Sequence, residues 1–214
     1  MRSTMSAPPK TVLTASPEEE RAIRDAVRNA DPETLGPFRV LAGKTHVAGV
    51  LDLFGDPAVS EPIYDLPRPF TETSVAAWIE DCENLRRRGE GLLILTVVPD
   101  GTVMGYSKVS VWPDRSSAEL GGALRATLQN AGSGGTGAAH TIGWIFATLG
   151  VRLICLTAAL DNVRSAKLID RMGFVRRGER DAVRPDGTVR GSLYWELTRD
   201  EWERVAKAAI DRGN

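Results

Sequence analysis

Residues 118–139 read AELGGALRATLQNAGSGGTGAA. The first seven suit a strand, and a period of two puts Glu119, Gly121 and Ala123 on one face. The stretch then sets Gly132, Gly134, Gly135 and Gly137 within six positions and runs into a helical pattern. Glycine costs backbone entropy, so such a cluster before a helix points to a close backbone approach, most often to phosphate. Two phosphate loops can be set aside. A nucleotide P-loop needs Lys and then Ser or Thr, whereas Gly137 is followed by Ala138. Gly132 to Gly137 fits G-x-G-x-x-G formally, but it follows several strands and no acidic ribose ligand ends the next one. A permissive loop with no ligand is the plain alternative.

Working outward, LLILTVV (92–98) reads as a buried strand, PDGT (99–102) as a turn and VMGYSKVSV (103–111) as a second strand. Residues 118–124 are then the third strand of an antiparallel meander. Past the glycines a helix runs through residues 138–149, with Ala138, Ile142, Ile145, Phe146 and Leu149 as its apolar stripe and Gly150 as its stop. RLICLTAAL (152–160) is a strand, NVRSAKLIDRMG (162–173) a short helix, and two strands follow around a second PDGT turn at 185–188. Residues 199–211 form a helical tail.

The front half is more helical. Ser16 and Pro17 open a helix over residues 16–30, with Glu19 as capping-box partner and a thin apolar face at Ile23 and Val27. Residues 1–10 read as a loosely held arm. A short strand at 37–43 and short helices broken at Gly55–Pro57 precede an amphipathic helix over 71–88. Thr71 or Thr73 caps that helix, and Val75, Trp78, Ile79, Cys82 and Leu85 share one face. The order predicts an α+β fold with a mixed central sheet in one domain.

Composition narrows the function. The chain has 214 residues, 42% hydrophobic and 26% charged, with a net charge of −1, so nothing argues for nucleic acid or an anionic membrane as partner. The apolar runs are too short to span a bilayer, and a cytoplasmic location is expected. Cys82 and Cys155 sit among apolar residues and read as reduced core thiols; His46 and His140 have no metal-like spacing, so no metal is expected.

Three motifs in order carry a resemblance. Gln129-Asn130-Ala131-Gly132-Ser133-Gly134 matches Q/R-x-x-G-x-G/A at a strand-to-helix junction, and Glu119 lies ten residues before Gln129. Asn162, Ser165, Gly173 and Phe174 match an N-x-x-S/A helix ending in G-F. Together these resemble the GNAT N-acetyltransferases; the spacing from Glu119 to Gln129, the stretch FGDPAVSEPIYDLPRPFT (54–71) and the ending YWELTRDEW (194–202) look most like their RimJ/RimL-like branch. The resemblance covers about residues 35–202, leaving residues 1–34 as an arm with an extra helix and 203–214 as a C-terminal helical tail.

It implies a largely antiparallel mixed sheet flanked by helices, and acetyl-CoA as acyl donor. Backbone N–H groups of Gly132, Ser133, Gly134, Gly135, Thr136 and Gly137, with Gln129 before them, would cradle the pyrophosphate at a helix N-terminus. The pantetheine arm would lie beside Leu124 and Ala126, with Asn162 on its other side; Asn162 also suits a plain N-cap. Glu119 is the candidate general base toward an acceptor amine, against the plain reading of a solvent-facing strand glutamate.

The family's usual tyrosine acid is replaced by Ile169, which leaves Ser165 or water as proton donor, with Tyr106 and Tyr194 as outside candidates. Trp78, Trp112, Tyr64 and the DLPRPF loop (65–70) are candidates for the acceptor wall, and each suits core packing or loop rigidity equally. The expected acceptor is a protein N-terminal α-amine or a small-molecule amine, taken by direct attack in a ternary complex. A non-catalytic acyl-CoA sensor is the rival, and the extra N-terminal helix leaves room for a homodimer.

Overall fold

Alternation in the strands assigns the two sides of the sheet. In the computed structural model, which describes residues 7–63, 65–128, 133–183 and 187–213, seven strands join in one sheet. They are β1 (Arg39–Leu41), β2 (Gly91–Val97), β3 (Val103–Trp112), β4 (Ser117–Leu124), β5 (Leu153–Ala159), β6 (Val175–Val183) and β7 (Val189–Thr198). Their order is β1-β2-β3-β4-β5-β7-β6. Only β4 and β5 run parallel; every other neighbouring pair is antiparallel. The result is an α+β fold with a mixed, largely antiparallel sheet.

On one face Leu92, Ile94, Val109, Val111, Ile154, Trp195 and Leu197 enter the main core. Helices α1 (Pro17–Asn29), α5 (Ser133–Trp144) and α6 (Val163–Arg171) cover them with Ile23, Val27, Ile142 and Ile169. The residues between, such as Leu93, Leu95 and Tyr106, point the other way into a second core. That core is built with α2 (Val47–Gly55), α3 (Pro57–Ser60) and α4 (Glu72–Arg88), and Phe54, Trp78 and Tyr106 meet edge to face inside it. A last helix, α7 (Arg199–Gly213), follows β7 directly.

α1 is an integral layer. Ile23 and Val27 are 1% and 0% exposed, worth roughly 1.5–3 kcal/mol each. Ser16 accepts the Glu19 N–H as the N-cap, but the Glu19 carboxylate does not close a capping box; it pairs with Arg152 at 2.8 Å. Gly89 ends α4 at φ 74°, and a Cβ there would come within 2.7 Å of the Arg24 backbone. Only glycine serves both the left-handed turn and the close approach of α1.

Two expectations are corrected. The helix after the glycines begins at Ser133, so Gly134, Gly135 and Gly137 lie inside its first turns rather than in a preceding loop. Glycine's low helix propensity hid this start. A π-helical turn (Ile145–Leu149) then carries the stripe to Gly150 at φ 77°. The N-terminal arm, over its described part, is not loose. Lys10 N–H donates to the Tyr194 hydroxyl at 2.9 Å, Thr11 donates to Glu196 through backbone and hydroxyl, and Arg180 donates to the carbonyls of Ala7 and Pro8. The arm straps the second face of β6 and β7.

Candidate active site

The parallel pairing is short, and its end makes the site. β4 and β5 are in register at Ser117↔Leu153, Ala118↔Ile154 and Glu119↔Cys155, and there the pairing stops. Beyond it β4 stays with β3 as far as Leu124, while β5 stays with β7 as far as Ala159. The two strands therefore diverge into a fork with Glu119 at its vertex. Exposure rises along β4 past the vertex: Glu119 is buried, whereas Gly121 and Gly122 are exposed. A side chain at Gly121 would meet nothing within 4 Å, so open space lies beside Glu119 on the same face.

Glu119 is thus not the solvent-facing glutamate of the plain reading; it is 7% exposed. Thr157, one period past Cys155 on β5, donates its hydroxyl to Glu119 Oε1 at 3.3 Å. The register also lines up Ser110, Glu119, Cys155 and Glu196 across four strands on this face. Glu196 is 2% exposed. Burial opposes its charge, but hydrogen bonds from Thr11 and Tyr194 and the Arg177 guanidinium outweigh that and hold its carboxyl below the usual range.

Lys108, on β3 opposite Gly121, is 8% exposed. Its ammonium is 3.1 Å from Asp65 in the segment between α3 and α4. Burial works against that charge, yet Asp65, with Cys82 and Glu119 nearby, raises the lysine above its ordinary value. Burial pushes the Cys82 thiol up to about 11; it also drives Cys155 well above its ordinary value, with Glu119 adding to the effect. Both thiols stay protonated, which makes them poor nucleophiles.

A helix follows each arm of the fork. After β4 and the turn Ala126–Leu128 comes α5, whose first-turn N–H groups at Ser133, Gly134, Gly135 and Thr136 have no partner within the helix. Gly137 lies one turn in, and its carbonyl accepts the Thr141 hydroxyl at 2.9 Å. Gln129 and Gly132 lie outside the described residues. Leu124 ends β4 and Ala126 opens the turn, so both border the fork. After β5, Asn162 caps α6 by accepting the Ser165 N–H at 3.0 Å.

The predicted residues are therefore not all adjacent. Glu119 is at the vertex, whereas Ser165 lies beyond Ala159, four β5 residues past Cys155 or ~13 Å of strand. Ile169 is buried in the main core. Tyr194 is committed to Glu196 at 2.6 Å and to Lys10, and Tyr106 is packed in the second core, so neither is poised as an acid at the vertex. Trp78 is a core residue, Trp112 ends β3, and Tyr64 lies outside the described residues.

Asp65 belongs to the DLPRPF loop expected at the acceptor wall, whereas Thr157, Lys108 and Glu196 escaped the sequence reading. The legible signal was the lysine itself, set inside an otherwise buried strand, VMGYSKVSV. A cavity of about 470 Å³ elsewhere is lined by Arg28, Glu83, Arg86 and Arg87 among others and contains no residue of the fork. Among the described residues no group of three His, Cys, Asp or Glu side chains could hold a metal, and no helix is long and apolar enough to cross a membrane.

This mixed sheet, forked between its parallel neighbours with a carboxylate at the vertex and a glycine-rich helix after one arm, belongs to a chain whose sequence matches an acyltransferase family. The acetyltransferase (GNAT) domain matches residues 38–175, and the chain belongs to that family. Its members use acetyl-CoA.

Among solved structures, the chain is similar to the ribosomal-protein-S5-alanine acetyltransferase from Vibrio fischeri, at 18% identity and a TM-score of 0.64, covering 77% of this chain and 93% of that one. Mycobacterium smegmatis RimJ in complex with CoA-disulfide is 17% identical, with a TM-score of 0.67 over 80% and 88% of the two chains. RimL, a ribosomal L7/L12 α-N-protein acetyltransferase in complex with coenzyme A, is 17% identical, with a TM-score of 0.67 over 78% and 97%. No curated protein sequence matches significantly.

Proposed function

We propose that this protein is a cytoplasmic, RimJ/RimL-like N-acetyltransferase that moves acetyl from acetyl-CoA to a primary amine, with Glu119 as general base. The observation that carries this reading is the buried carboxylate at the vertex of the β4–β5 fork, next to open space over Gly121. The diverging edges fit an extended pantetheine arm, because strand edges offer backbone donors and acceptors to pair with it. Leu124 and Ala126 border that arm on one side and Asn162 on the other. The first-turn N–H groups of α5 and the positive end of its dipole suit the pyrophosphate.

When bound, acetyl-CoA supplies a thioester whose acetyl group the acceptor amine takes by direct attack, with the thiolate leaving. Glu119 accepts the amine's proton, directly or through water, while Thr157 holds one of its oxygens. The protonated state of both cysteines supports transfer without a covalent acyl-enzyme. Ser165, at the start of α6, or water returns a proton to the sulfur.

The acceptor we favour is a protein N-terminal α-amine, in keeping with the names of the solved neighbours; a small-molecule amine is second. The sensor reading has one observation on its side, namely Ile169 in place of a tyrosine acid. An assay of coenzyme A release against a panel of peptide and small amines tests the proposal. Amine-dependent release is expected; tight acetyl-CoA binding with no release from any amine would favour the sensor.

A further inference from the structure

The segment joining α3 to α4 is pinned over the fork from both sides. Leu66, 1% exposed, anchors it in the second core. Asp65 is held by Lys108, whose side chain is 10% exposed, whereas 37% of the Asp65 side chain remains exposed. On the far side the Pro62 carbonyl accepts from Arg190 of β7 at 3.3 Å, and the same guanidinium pairs with Asp161 at 2.7 Å, just before α6. Arg68 knits the segment internally through the carbonyls of Ser60 and Ile63. The segment thus bridges β3 to the β5 end of the fork, on the sheet face that carries Glu119 and the open space at Gly121.

In register, Lys108 stands opposite Gly121, and Glu119 lies two residues from Gly121 on the same face. No side chain intervenes at Gly121, and the room above it is empty of protein atoms. The room lies on the sheet face that carries Glu119, and opposite it stands Lys108, whose ammonium holds the partly exposed carboxylate of Asp65. Burying a lysine this deeply is costly unless a partner holds it. Here the partner is a carboxylate that still has an oxygen to offer, since an ionised carboxylate accepts several hydrogen bonds at once.

Resting on the assignment of the fork as the active site, we propose that Asp65 is a specificity-determining residue that binds the acceptor ammonium opposite Glu119, and that Lys108 is the positioning residue that fixes it there. Asp65 draws the cationic amine in and orients it; Glu119 takes the proton. The class of acceptor is a protonated amine presented without a neighbouring carboxylate, such as a peptide N-terminus or an alkylamine. A free α-amino acid would bring its own carboxylate against Asp65 and Glu119.

The test is calorimetric binding of two probes, a C-terminally amidated tripeptide with a free amino terminus and a simple alkylamine, to protein saturated with coenzyme A. Asp65→Asn should weaken the better-binding amine by ~10-fold or more, the loss expected for a charge-assisted hydrogen bond. Coenzyme A affinity should stay within a few-fold. Should Asp65→Asn fold poorly because Lys108 is left unpaired, the double variant Asp65→Asn with Lys108→Met removes both charges and should show the same amine defect.

Lys108→Arg keeps the pair and should retain amine binding near the parent's. Unchanged amine affinity in Asp65→Asn or the double variant, or no binding of either amine to the parent, overturns the proposal. Asp65-dependent binding in a protein that releases no coenzyme A from acetyl-CoA with any amine would instead sustain it and count against the transferase reading, in favour of the sensor.

Discussion

Cys155 and its neighbours show how far one residue's meaning depends on register. It reads in sequence as a core thiol, and it is one, fully buried and protonated. Yet the sheet sets it between Glu119 and Glu196, two buried carboxylates in adjacent strands. Glu196 is ionised because Thr11, Tyr194 and Arg177 surround it, which gives a pH prediction with a definite sign. Its folded value lies below the ordinary carboxylate value of about 4.3. Its contribution is therefore complete above the unfolded value and is lost as pH falls through the depressed folded one. Melting temperature against pH should flatten on the acid side in Glu196→Gln. An acid limb identical to the parent's would show that this carboxylate is not what acid titrates.

At the scale of elements, the strands and most helices were legible because their periods are clean. The five apolar positions expected on 71–88 are the five buried in α4. Thr71 is its N-cap, accepting from the Ser74 N–H. Local pattern could not reveal partners far along the chain. Thr11 meets Glu196 across 185 positions, and Lys108 meets Asp65 across 43. The described part of the arm is therefore a strap, which no local pattern signals. Its contacts with Tyr194 and Glu196 predict that deleting residues 1–12 costs about 2–3 kcal/mol, or ~4–12 °C in melting temperature. A silent deletion in a thermal melt would mean that the strap adds nothing to stability.

The start of α5 at Ser133 changes what the glycines do in the proposed cradle. Gly134 lies in a helical first turn, so positive φ is not what it provides; it leaves the backbone donors uncovered. Gly134→Val should therefore fold normally and lose coenzyme A affinity. Calorimetry giving parent-like affinity in this variant would move the pyrophosphate elsewhere.

Taken as a whole molecule, the chain joins a motif-rich half to a weakly patterned one, and its candidate site draws on both. Glu119, Asn162 and the glycines are candidates through their spacing, whereas the proposed acceptor side rests on Asp65, in the DLPRPF loop singled out from sequence, and on Lys108 and Arg190, each ordinary in its local sequence. α1, drawn as an extra before the domain, closes the main core with Ile23 and Val27 and ties to Glu90 and Arg152 through Arg24 and Glu19.

The central claim is that the fork vertex is where the amine loses its proton. Steady-state acetyl transfer across pH for Glu119→Gln and its parent tests this most directly. Glutamine keeps the shape and the hydrogen bond from Thr157 but accepts no proton at neutral pH. The account predicts acetyl-CoA affinity within a few-fold of the parent and turnover lower by about 10²–10⁴, with the deficit shrinking at high pH, where the amine arrives neutral. A glutamine variant that turns over at the parent's rate at neutral pH would contradict it.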